Sequence, residues 1–149
     1  MSVPEPHIPQ GSHPLLTLMK ALERDIDQPL EDVEASLRSA LSEQGFGVLT
    51  EIDVAATFAA KLGVHRPPMK ILGACNPSLA HRALGIDASV ALLLPCNVVL
   101  TELAAGGTHV AVADPRTVLR TGTGSDDRLA ELGEEASAGL ERALDRLGR

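Results

Sequence analysis

Three runs decide the reading of this chain: Ile71-Leu72-Gly73-Ala74-Cys75-Asn76-Pro77, then Ser78-Leu79-Ala80-His81-Arg82-Ala83-Leu84, then Val90-Ala91-Leu92-Leu93-Leu94-Pro95-Cys96-Asn97. The outer two are apolar and each ends in a Cys-Asn dipeptide, so the only two thiols of the chain occupy equivalent places. Between them, Asn76 suits a helix N-cap and Pro77 the first helical position, which makes Cys-Asn-Pro a strand-to-helix junction. The helix it opens ends near Gly85. Val90 to Leu94 is apolar at every position, the pattern of a strand covered on both faces, and is expected as a central strand.

Upstream, Ala21 to Asp27 reads as a short strand. Leu30, Val33, Leu37 and Leu41 then fall on one face of a helix whose first turn holds Pro29 and whose stop is Gly45. Phe46 to Ile52 is a second strand, and Asp53 caps a second helix that runs to Leu62 and stops at Gly63. His65-Arg66-Pro67-Pro68 is a loop that feeds the third strand, Met69 to Ala74. Downstream, Asn97 to Leu103 and Thr108 to Ala113 form two strands joined through Ala104-Ala105-Gly106-Gly107, and Asp114-Pro115 closes the last of them. Leu129, Leu132, Ala136, Leu140, Leu144 and Leu147 make a helical stripe that needs a surface to cover.

The order β-α-β-α-β-α-β-β-β-α fits an α+β domain: one mixed or antiparallel sheet with helices packed mainly on one face. Residues 1–19, with four prolines and with His7 and His13, read as a flexible arm. Residues 20–116 are the domain, 117–125 a linker and 126–149 a C-terminal amphipathic helix.

Composition removes several classes of function. A net charge of −7 and only two aromatic residues, Phe46 and Phe58, oppose nucleic-acid binding. No apolar run approaches the roughly 20 residues of a bilayer span, so no membrane association is expected. Two cysteines do not make a disulfide scaffold and Met1 to Gln10 lacks a signal-peptide pattern, which predicts a reducing cytoplasm. Gly-rich phosphate loops, His-Glu-x-x-His and Gly-x-Ser-x-Gly are absent from the sequence.

One constellation carries chemistry. Parallel third and fourth strands would bring both Cys-Asn dipeptides to one end of the sheet, with Asp114 ending the sixth strand there and Asp53 joining if the second strand runs the same way. Adjacent strands lie about 4.8 Å apart, within contact range for two sulfurs. The helix N-terminus after Cys75 favours its thiolate, making it the more reactive thiol. Set against this, a free cysteine often serves as a small buried hydrophobe, and Asn before Pro is ordinary cap chemistry. His81 reads as solvent-facing, and neither His65 nor His109 has a partner at metal spacing.

Gly45-Phe46-Gly47-Val48-Leu49-Thr50-Glu51-Ile52-Asp53, Lys61-Leu62-Gly63, Ile71 to Pro77, Ala80, Ala83-Leu84, Leu92 to Val98 and Asp114-Pro115 together resemble the domain of unknown function 302 family. The resemblance covers about Ala21 to Pro115. It implies a small α+β fold in bacterial or archaeal proteins that are typically homodimeric, and it brings no activity. The family pattern falls on Asp53, Cys75, Asn76, Pro77, Pro95, Cys96, Asn97, Asp114 and Pro115. The arm and the helix after Ser125 lie outside it.

Three functions stand open. The first is a homodimeric binding module in which Cys75, Asn76, Cys96 and Asn97, with Asp114 and Asp53, line a site for a small ligand or for a soft metal on Cys75 and Cys96, zinc or copper(I) suiting thiolates best. The second is a thiol redox enzyme or sensor, with Cys75 attacking and Cys96 resolving. The third is a structural or interaction protein with both cysteines in the core.

Overall fold

A computed structural model describes residues 21–123 and 126–148; the expected arm over residues 1–19, with His7 and His13, lies outside them. The chain runs β1 (Ala21–Ile26), α1 (Leu30–Glu43), β2 (Gly47–Asp53), α2 (Val54–Leu62), β3 (Met69–Cys75), α3 (Pro77–Ile86), a 3-10 helix (Ala88–Leu93), β4 (Cys96–Glu102), β5 (Thr108–Ala113), α4 (Pro115–Thr123) and α5 (Asp127–Asp145). The strands form one five-stranded sheet in the order β1-β5-β4-β3-β2. Every pairing is antiparallel. The α+β class with a single sheet is therefore as expected from the sequence.

Alternation along the strands decides which face the helices cover. Leu72, Val98, Leu100, Val110 and Val112 are buried on one face, and α1 and α5 lie over them through Val33, Leu37 and Leu41 and through Leu140, Ala143 and Leu144. A second cluster joins α3, the 3-10 helix and the start of α5 through Leu79, Ala83, Val90, Leu129 and Leu132. The opposite sheet face carries the row Ile52, Ile71, Val99 and Ala111, side by side in register, and these side chains are half-buried or exposed. No helix among the described residues is long and apolar enough to cross a membrane.

The end of α1 steers the chain toward the later site. Gly45, at φ 82°, donates its N–H to Ser42, and Phe46 donates to Leu41, so these two carbonyls of the last turn are satisfied by a left-handed turn that favours glycine. Phe46 then joins the core beside Leu41. The β4–β5 hairpin turn closes with Leu103 N–H donating to the Gly107 carbonyl at 2.8 Å.

Two expectations are corrected. Val90 to Leu94 is no strand: Ala88–Leu93 is a 3-10 helix started by Asp87, whose carboxylate accepts the Ser89 N–H at 2.9 Å. A short apolar run fits a buried strand or a helical wall equally well by pattern, and here Val90, Leu93 and Leu94 turn toward a cavity instead of lying between layers. The segment 117–125, expected as linker, is helical through Thr123 as part of α4. The Asp114 carbonyl accepts the N–H groups of Thr117 and Val118, and its carboxylate accepts that of Arg116, so Asp114-Pro115 starts a helix as Asn76-Pro77 does.

Candidate functional site

The two thiols share one rim of the sheet, though not by the expected route. β3 and β4 are antiparallel, with Ala74 opposite Cys96 and Gly73 opposite Asn97. Cys75 ends β3 while Cys96 begins β4, so opposed strands bring the residues together where parallel ones were expected. Both are free thiols.

They line a partly open pocket of about 70 Å³ between the sheet rim, α3, the 3-10 helix, α4 and α5. Phe46, Ala74, Leu79, Val90 and Leu132 are among its apolar walls, and Asn76 adds the one amide. That volume is several times the roughly 10–15 Å³ needed for the centre of one water. The site is thus a small apolar chamber with two sulfurs in its lining.

Burial governs both thiols. It pushes Cys75 up from its ordinary value, which corrects the expected lowering by the helix N-terminus. Desolvation disfavours the charged form of a thiol. Cys96 is pushed up to about 12 by burial first, then by the negative charge of Asp114 and by its neighbour Cys75. Its Sγ donates to the Ala113 carbonyl at 3.2 Å, which holds the proton in place. Both sulfurs are therefore neutral thiols at neutral pH.

The other sequence-derived residues divide. Asn76 lines the cavity while its side chain caps α3, accepting the Leu79 N–H at 3.2 Å. Asn97 is exposed and stands opposite Gly73, on the side of β4 away from Val98 and the helix-covered core. Asp53 is at the far end of β2, six positions from Gly47, which pairs with Cys75. It caps α2 by accepting the Ala56 N–H at 2.9 Å, so strand direction removes it from the cavity. Asp114 sits at the thiol end but is turned to structural use. Its carboxylate accepts the Ser137 hydroxyl at 2.6 Å and the Arg116 guanidinium at 2.9 Å. Burial drives its pKa upward, but the Arg116 and Ser137 hydrogen bonds and the Arg116 charge overcome this and hold the carboxyl below its ordinary value.

Sequence reasoning missed the walls supplied by Phe46, Pro115, Val118, Leu132 and Ala136. The C-terminal stripe had announced that it needed a surface; what it covers is this chamber as well as the sheet.

The family model for "Domain of unknown function DUF302" matches residues 22–147. This chain belongs to the DUF302 family. The match includes α4 and α5, which corrects the expectation that the C-terminal helix lies outside the family pattern. Among solved structures, the chain is similar to an uncharacterized conserved DUF302 protein from Bacillus stearothermophilus. That likeness has 28% identity, covers 87% of this chain and 98% of the other, and has a TM-score of 0.79. No curated protein matches the chain. The DUF302 assignment confirms the resemblance carried by the runs around Cys75 and Cys96.

Proposed function

We propose that the protein is a homodimeric binding module whose two-cysteine cavity takes a small, uncharged, apolar ligand. The observation that carries this reading is the lining: apart from Asn76, the walls are apolar side chains and two thiols that burial keeps protonated. Such a chamber offers no fixed charge to attract an ion, whereas an apolar molecule loses only its own hydration on entering. A soft metal fits the donor set less well. Among the described residues no group of three or more His, Cys, Asp or Glu side chains is arranged to hold one, and thiolates would have to form against the burial that opposes them.

The test is titration of the isotopically labelled chain with benzene or xenon, followed through its methyl resonances. Saturable shifts at Leu79, Val90 and Leu132 are expected, and Ala83→Leu, which fills the chamber from α3, should abolish them. Shifts that persist in Ala83→Leu, or no shifts at all, would reject the reading.

The homodimer is supported by the row Ile52, Ile71, Val99 and Ala111 on the uncovered sheet face. Contiguous apolar surface of this kind marks association sites. Sedimentation should give a dimer, and Val99→Lys should give a folded monomer.

Two free thiols lining one cavity also favour a second reading, the thiol redox pair. There Cys75 attacks a peroxide with loss of water, and Cys96 displaces a second water to close the disulfide. Reversible loss of two thiols per chain under mild peroxide would select it. Retention of both selects the binding module.

A further inference from the structure

The walls of the chamber are not equally anchored. α3 contributes buried Leu79 and Ala83, and α5 contributes buried Leu132 from a helix that continues into the main core. The wall from Ala88 to Leu94 is different. Its six-residue 3-10 helix exceeds the three or four residues usual for that geometry. Val90 alone in this helix is buried, at 1% exposure, whereas Leu92 is 88% exposed. Ala88, Ser89 and Ala91 are exposed as well, and Leu93 and Leu94 are half-buried.

Its two ends are fixed in distinct ways. At the start, Asp87 accepts both the Ser89 N–H and the Ser89 hydroxyl, at 2.9 and 2.6 Å. At the finish, the Pro95 ring lies against Gly73, where an added Cβ would stand 2.6 Å from Pro95 Cγ. A short strap pinned at both ends, with one apolar plug and an outward face already wet, can leave its seat without disturbing the sheet.

We propose that Ala88–Leu94 is the gate of the thiol chamber, turning about Asp87 and Pro95 and lifting Val90, Leu93 and Leu94 away from Cys75 and Cys96. This rests on the reading of the chamber as a ligand site, but the gate is read out without any ligand. When it opens, water and small reagents reach Cys96; when it closes, Val90 reseats among Leu79, Ala83 and Leu132. Opening would wet Val90, which is buried at 1% exposure, together with half-buried Leu93 and Leu94, so the closed state predominates.

The experiment is alkylation of the native full-length chain by iodoacetamide, with the rate at Cys96 resolved by peptide mass spectrometry. Val90→Ala, which shortens the plug, should accelerate Cys96 labelling at least tenfold. Leu129→Ala removes a buried side chain of the same cluster that does not line the chamber, and should change the rate less than threefold. Asp87→Ala loosens the hinge without touching the core and should also accelerate labelling, so the proposal stays testable if Val90→Ala does not fold. Equal acceleration by Leu129→Ala would mean that the whole cluster opens and would overturn the gate. So would an unchanged rate in Asp87→Ala. Failure of benzene to bind while the labelling pattern holds would reject the ligand and keep the gate.

Discussion

Removing the carboxylate of Asp114 leaves the buried Ser137 hydroxyl without its acceptor and deprives Arg116 of its nearest countercharge. Asp114→Ala should cost about 1–3 kcal/mol of stability, measured by urea unfolding at neutral pH. Because the folded-state pKa of Asp114 is depressed, its contribution is present above the unfolded carboxylate value near 4 and is lost as pH falls through the lower folded value. The wild type should therefore lose stability on acidification more steeply than the variant. Cys96 behaves in the opposite sense. Its folded pKa is raised to about 12, so its contribution is whole below the unfolded thiol value near 9 and disappears as pH climbs from there through 12. Thiolate absorbance should stay low in the folded chain at pH 9 and rise on unfolding. The sequence revealed that Cys75 and Cys96 belong together; it could not reveal their protonation, because desolvation depends on the walls that close around them.

At the scale of elements, junction chemistry was legible wherever a polar cap residue precedes a helix or a glycine follows one. Asn76-Pro77, Asp53 and Gly45 were read correctly by this rule, and Asp114-Pro115 obeys the same rule without having been read so. Asn76→Ala should cost about 1 kcal/mol in thermal or urea unfolding and loosen one wall of the chamber. Asp53→Ala should cost a similar amount and leave benzene binding intact, since it caps a helix at the other end of the sheet. Val90 to Leu94 misled because an unbroken apolar run records only that burial is available, not whether two layers or a cavity supplies it. Gly73 explains why β3 and β4 meet cleanly at the rim. A Cβ there would lie 2.1 Å from Thr50 Oγ1 and 2.6 Å from Pro95 Cγ, so Gly73→Ala should cost about 1–3 kcal/mol, partly recovered by adding Thr50→Ala.

For the molecule as a whole, the C-terminal helix is built into the core and is not an appendage. Leu129, Leu132, Leu140, Ala143, Leu144 and Leu147 are all buried, and each of the leucines contributes on the order of 1.5–3 kcal/mol. A chain ending at residue 125 should lose dispersed methyl resonances and be cut rapidly by protease. The stripe itself was plain in the sequence. Its partners were not, because α5 crosses two clusters that lie far apart along the chain.

The β4–β5 hairpin has a practical corollary. Its exposed Ala104-Ala105-Gly106 tip stands beyond Glu102, whereas Cys96 opens the other end of that seven-residue strand, about 20 Å away. A peptide tag spliced between Ala104 and Ala105 would tether the protein to a sensor chip with its sulfur-lined mouth facing the flow.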